Sequence, residues 1–161
     1  MRYAALALGS LMLASCVAIN DTSVTHAAPE TSRADAEQLV AARQAGMRMM
    51  VFTLSSVTRA SENAEAPIDR AGFGIGGLAK FADSMPVLFG DATATIGGTK
   101  ALPAVWDDPE GFAARINEFQ SATDALAASA AANDREGFAE ALASTKGACK
   151  ACHDSYRVED N

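Results

Sequence analysis

The 161-residue chain is poor in the residues that hold bare metal ions: it has two histidines, three cysteines and a single tryptophan. A structural zinc site takes four protein ligands, and a catalytic one usually three plus water. Outside residues 149–153 the only other cysteine and histidine are Cys16 and His26, both near the start, so a zinc protein is disfavoured. Runs rich in β-branched and aromatic residues are also missing. That removes the βαβ setting which a thioredoxin-like C-x-x-C or a dinucleotide-binding glycine loop requires. Basic side chains are the minority, 13 against 20 acidic, for a net charge of −7. Such a surface disfavours nucleic acid and anionic lipid and suits steering by a basic partner patch. Beyond residue 19 no apolar run is long enough to span a bilayer.

What the chain does have is Cys149, Lys150, Ala151, Cys152 and His153, spelling C-x-x-C-H. This is the attachment signature of a c-type haem, in which two thiols form thioethers with the porphyrin vinyl groups and the histidine ligates the iron. On a helix, residues three and four apart share one face. One turn therefore staples a flat cofactor at its edge and ligates it at its centre.

Residues 1–19 carry a single positive charge, Arg2, followed by an apolar run, the pattern of a secretory signal rather than a membrane span. Leu13, Ala14, Ser15 and Cys16 resemble the lipobox of bacterial lipoproteins, which makes Cys16 a candidate lipidation site and residues 1–15 the signal. The alternative is an ordinary signal cleaved after Ala27. Either route places the mature protein in the periplasm, where bacterial c-type haem is attached. Residues 16–30 are polar and aperiodic and read as a tether, with His26 solvated within it.

Residues 31–161 read as one all-α domain. Ser32 with Asp35 resembles a capping box, and Leu39, Val40, Met47, Met50, Val51, Leu54 and Val57 recur at helical spacing, predicting a first helix over 32–60 of about 43 Å. Pro67 is placed to start a second helix running to 84. That segment satisfies G-x-G-x-x-G from Gly72 to Gly77, but it follows a polar linker instead of a buried strand, so the dinucleotide reading is rejected. Its glycines predict an irregular helix or the close approach of another helix or of haem. Residues 85–107 read as a long loop with Trp106 near its end, a candidate cover for one cofactor edge. Asp108 and Pro109 predict a third helix to 132, with Phe112, Ile116, Phe119 and Leu126 buried. Asn133 and Asp134 then introduce a fourth, with Phe138, Leu142, Cys149, Cys152 and Tyr156 on related faces. Four apolar stripes with short connections and one long loop predict an antiparallel four-helix bundle enclosing one covalent haem c per chain.

Any second protein ligand to the iron must come from upstream of His153. The candidates are Met47, Met49, Met50, Met85 and His26.

The segment from Cys149 through Tyr156 to Arg157, together with Arg43, Gln44 and Met47 and the stretch 103–112, resembles the class II cytochromes c, which include the cytochromes c′. The resemblance spans essentially the whole mature chain. Its specific part is the haem motif at the C-terminus instead of near the N-terminus. It implies that Cys149 and Cys152 hold haem, that His153 is the proximal ligand with Arg157 beside it, and that Met47 occupies the distal position. Arg43, one turn from Met47, is expected to pair with a propionate or a carboxylate. Two functions follow. With Met47 bound, the protein is a non-enzymatic, one-electron carrier serving redox partner proteins. With Met47 only packed over the iron, it is a five-coordinate binder of nitric oxide or carbon monoxide. The resemblance also implies a homodimer through the first two helices.

Overall fold

The computed structural model describes residues 30–159. The signal, tether, Cys16 and His26 readings fall outside those residues. Helix α1 spans Arg33–Glu62, α2 Gly72–Leu88, α3 the single turn Ala104–Asp107, α4 Pro109–Ala131 and α5 Arg135–Tyr156. The four long helices form the expected all-α bundle, with α4 and α5 as a close pair and α2 packed against both α1 and α4. No described helix is long and apolar enough to cross a membrane.

Local chemistry sets most of the helix starts. The Ser32 hydroxyl accepts from the Asp35 N–H at 3.2 Å, as the capping-box reading requires. Asp108 and Asp134 cap α4 and α5 in the same way, accepting from the Gly111 and Gly137 N–H groups at 3.1 Å each. Both caps belong to one local pattern, Asp-x-Glu-Gly-Phe, at 108–112 and 134–138. A Cβ at Gly111 would lie 2.1 Å from Asp108 Oδ2, so glycine is what allows the carboxylate to fold back over the first turn.

The second helix and the long loop need correction. Pro67 precedes a 3₁₀ turn, Ile68–Ala71, and α2 begins at Gly72 and runs through Pro86 to Leu88. Pro86 lies in the last turn with its ring exposed, where its missing N–H removes one ladder bond without breaking a helix interior. The stretch expected as loop from 85 therefore starts helical, and it also contains the 3₁₀ turn Asp91–Thr93 and α3, which carries Trp106. The glycines of α2 do not break it. Gly74 meets α1, its Cβ position lying 3.2 Å from Thr53 Cγ2, whereas Gly72, Gly76 and Gly77 face open space. The close approach expected there holds for one glycine of the four.

The interior divides along the bundle axis. At one end Val57, Ile68, Ile75, Leu126, Phe138 and Leu142 close into a dense apolar core. At the other end Leu78, Met85, Phe112, Ile116, Phe119 and Tyr156 form a second cluster, against which Met47, Met50, Cys149 and Cys152 pack half-buried. The α1 stripe runs Val40, Arg43, Met47, Met50, Leu54, Val57, with Met47, Met50 and Leu54 in its middle incompletely covered, whereas Val51, expected on the stripe, is exposed because it falls on the outer side of the helix. That gap in the stripe is where the site lies.

A methionine-lined cavity at the C-x-x-C-H turn

The last two turns of α5 present Cys149, Cys152 and His153 to the bundle interior, facing α1, α2 and α4 across a small cavity of about 30 Å³. Its lining is completed by Met47 and Met50 from α1, Met85 from α2, and Arg115, Ile116 and Phe119 from α4. Three of the candidate sulfur ligands, Met47, Met50 and Met85, thus line the same cavity as His153. Met49 does not, since it is 64% exposed on the outer side of α1.

The electrostatics favour neutral donors. Burial pushes the Cys149 thiol up, and it pushes Cys152 up to about 11 with the neighbouring Cys149 adding to the effect. Neither cysteine is in a disulfide. Burial, reinforced by the Arg157 cation, lowers the His153 pKa and keeps the imidazole neutral, the form that ligates metal. Among the described residues no set of three histidine, cysteine or carboxylate side chains is placed to hold a bare metal ion. Two thiols three residues apart, an adjacent imidazole and an apolar wall with thioethers fit a flat, thioether-linked haem.

The other expected site residues stand around the cavity rather than in its lining. Arg43 is 2% exposed; its guanidinium donates to the Leu88 carbonyl at 3.3 Å and to the Thr93 and Thr99 hydroxyls at 3.0 Å. It also lies 4.8 Å from the Phe89 ring centroid and 5.6 Å from that of Trp106. Desolvation lowers its pKa from an ordinary value far above neutrality, so it is a buried cation tying α1 to the segment after α2. Trp106 donates its indole N–H to the Phe89 carbonyl at 2.9 Å and packs on the cluster under the cavity. Arg157 follows α5 in an antiparallel bridge with Ala101. The bonds Leu102 N–H to Tyr156 O and Val158 N–H to Lys100 O, at 2.9 and 2.8 Å, fasten the end of α5 to the segment before α3.

Two features were not read from the sequence. Arg115 stands at the wall paired with Glu118 at 2.7 Å; its position three residues after Phe112, on the edge of an apolar stripe, was the available signal. Tyr156, the last residue of α5, donates to Asp108 Oδ2 at 2.7 Å and so ties the haem-motif helix to the cap of α4. That bond, with the Gly111 N–H, holds the Asp108 carboxyl below its ordinary value of 3.8, and the same bond, with burial, raises the Tyr156 phenol above 10.0. Asp108 has the depressed folded-state pKa, so its contribution is complete above the ordinary carboxylate value and disappears as pH falls through the folded one. Tyr156 has the raised value, so its contribution is complete below its ordinary value and disappears as pH rises through the folded one. Tyr156→Phe is therefore expected to flatten both limbs of stability against pH, the acid limb only in part because the Gly111 bond remains. Denaturant melts across about pH 2 to 11 test this, and parallel curves for variant and parent would remove the bond from the linkage.

A four-helix bundle whose final helix carries C-x-x-C-H facing thioethers from the first defines a c-type cytochrome of class II. The cytochrome c′ family model matches residues 38–157, and this chain belongs to that family. It is 32% identical over 131 residues to a cytochrome c′ of Cereibacter sphaeroides, covering 78% of this chain and 87% of that protein. A cytochrome c-554 of the same species is 30% identical over 129 residues, covering 77% and 96%. The match to the cytochrome c′ of Rubrivivax gelatinosus is 42% identical over 69 residues, but this covers 43% of this chain and spans about half of that relative, 54%. Among solved structures, the cytochrome c′ of Thermochromatium tepidum has a TM-score of 0.70 at 29% identity, covering 77% of this chain and 97% of that one. The cofactor of the family, one covalently attached haem c per chain, is the cofactor of this protein.

Proposed function

We propose that the protein is a periplasmic one-electron carrier in which His153 and Met47 ligate the haem iron from opposite sides. The observation that carries the reading is the placement of Met47, with Met50 and Met85, in the same cavity as Cys149, Cys152 and His153. The haem supplies a reversible ferric–ferrous couple, and a histidine–methionine pair raises its potential. The chain's own part is to keep water out with Ile116 and Phe119, to hold His153 neutral, and to bring the α1 sulfur to the distal side. The periplasmic address and a lipid tether at Cys16 are supported by residues 1–29 of the sequence alone.

A second reading is the binding of nitric oxide or carbon monoxide at an open distal face. It is favoured by one relative: a ferrous variant of the cytochrome c′ of Alcaligenes xylosoxidans was solved with bound nitric oxide, at 25% identity and a TM-score of 0.69. Visible spectra of the oxidised and reduced protein, with and without carbon monoxide, separate the two. A filled sixth position gives a low-spin spectrum indifferent to the gas, and Met47→Ala converts it to a high-spin, gas-binding form. A parent spectrum that is already high-spin and shifts with carbon monoxide hands the function to the second reading. Conversion by Met50→Ala or Met85→Ala, with Met47→Ala silent, moves the ligand to that sulfur.

Self-association through α1 and α2 belongs to the same reading. Met49, Val51 and Phe52 on α1 and Phe73 on α2 are exposed apolar side chains, Phe73 at 97%. A relative of 26% identity is a cytochrome c′ described by ligand-controlled dimer dissociation. Sedimentation is expected to show a dimer that Phe52→Asp with Phe73→Asp converts to monomer. Identical profiles for parent and variant would take these faces out of any assembly.

A further inference from the structure

Arg115 occupies a place on α4 where the helical pattern calls for an apolar side chain. It belongs to the run Phe112, Arg115, Ile116 and Phe119, spaced i, i+3, i+4 and i+7 on one helix face. The other three are buried, and Arg115 is half-buried among them. An arginine in such a place keeps its hydrocarbon stem against the apolar wall and its guanidinium towards water. The guanidinium pairs with Glu118 one turn further on, at 2.7 Å, with side chains 38% and 51% exposed. The ion pair therefore stands at the rim of the cavity, partly hydrated.

Among the described residues that line the cavity, Arg115 is the one permanent charge; the rest of the wall is sulfur, hydrocarbon and the neutral His153 imidazole. Arg115 acts electrostatically on Cys152 and Tyr156, and Glu118 acts on Cys152 with the opposite sign. Both charges thus reach the turn that carries the thioether-linked edge of the haem. Arg43 and Arg157 stand outside the lining, the first bonded to Thr93 and the second in the bridge with Ala101. Ferric haem carries one more positive charge at its iron than ferrous haem. A fixed cation at its edge therefore opposes the ferric state and a fixed anion favours it, through an energy that falls as distance and effective dielectric rise.

We propose that Arg115 and Glu118 set the reduction potential of the haem, Arg115 raising it and Glu118 holding it back. The inference rests on the electron-carrier reading and adds to the axial ligands a second determinant of the potential. Arg115 touches no reacting atom and acts through its charge alone. Because Glu118 and water each offset part of that charge, the effect on the couple is modest. Its chemical consequence is a choice of partner by driving force. A raised potential favours electron uptake from weaker reductants and makes the ferrous form harder to oxidise.

The test is a redox titration of the haem-loaded protein at low ionic strength, followed in the visible spectrum, with dithionite as reductant and ferricyanide as oxidant. One electron enters or leaves the iron, and no bond is made or broken at Arg115 or Glu118. Arg115→Gln is expected to shift the ferric-to-ferrous ratio at a fixed potential about threefold towards ferric. That lowers the midpoint by about 30 mV, a tenfold shift in a one-electron couple being about 59 mV. The shift shrinks as salt is raised. Arg115→Lys keeps the charge and holds the midpoint near that of the parent, and Glu118→Gln raises it. Lys80→Gln removes the same charge from an exposed side chain on α2 and leaves the midpoint in place. A midpoint unmoved by Arg115→Gln, or moved as far by Arg115→Lys or by Lys80→Gln, overturns the inference. Glu118 is exposed, so Glu118→Gln carries the test where replacing Arg115 impairs haem attachment, and a midpoint that does not rise in that variant overturns the inference too. The electron-carrier reading fails on a separate observation, a high-spin parent spectrum that shifts with carbon monoxide.

Discussion

Cys149→Ser with Cys152→Ser is expected to abolish haem staining on a denaturing gel, whereas Cys16→Ser leaves the stain intact. Cys149 and Cys152 line the cavity with His153 and the methionines. A coordinate bond from His153 does not survive denaturation, but a thioether does, so the stain reports covalent attachment alone. Each single variant keeps one thioether and a weaker stain. The double variant also loses heat stability, because a group held by the folded state alone shifts the folding equilibrium towards it. Retention of the stain in the double variant would remove these cysteines from attachment.

The second large effect is expected at Gly46. This residue lies mid-helix in α1, where glycine costs about 1 kcal/mol relative to alanine, so its presence needs a reason. A Cβ there would sit 1.9 Å from Cε2 of Phe81 on α2. Phe81 is half-buried and packs on the cluster beneath the cavity, so its ring has little room to yield. Overpacking of this kind costs about 1–3 kcal/mol, and a β-branched residue adds to the misfit. Gly46→Val is therefore expected to lower the melting temperature by roughly 4 °C for each kcal/mol lost. Adding Phe81→Ala should recover part of the loss, a coupling that a double-mutant cycle measures directly. Additive effects of the two changes would mean that the ring and the glycine do not meet. The clash also bears on function: Met47 is the next residue, so displacing α1 from α2 displaces the candidate ligand, and Gly46→Val should alter the visible spectrum as well as the stability. Gly46 is accordingly a contact point between α1 and α2, where it meets the Phe81 ring.

Tyr156, Arg43 and the tail after α5 together explain how a cavity persists at one end of a bundle whose other end is closed. Tyr156 holds α5 to the α4 cap. Arg43 holds α1 to the carbonyl of Leu88 and the threonines beyond it. The backbone pairing of residues 100–102 with 156–158 closes the end of the haem-motif helix. Each tie lies around the cavity and uses polar groups, leaving its apolar lining to sulfur and hydrocarbon.

The sequence by itself determined the chemistry of attachment, because C-x-x-C-H places two thiols and an imidazole on one helical face whatever the rest of the chain does. It also determined three of the long-helix starts, through Ser32, Asp108 and Asp134, whose short side chains cap the next turn without help from distant residues. Four apolar stripes at helical spacing were enough for the bundle. The sequence could not place Pro86 inside α2 or turn the expected loop into helical turns, since a proline near a helix end and short 3₁₀ turns leave no periodic signal. Helical spacing already set Met47 and Met50 on the apolar stripe of α1 and left Met49 off it; the tertiary structure decided that Met85 of α2 joins them in one cavity with His153. It also decided what Arg43 holds, because that depends on residues some 50 positions apart being brought together.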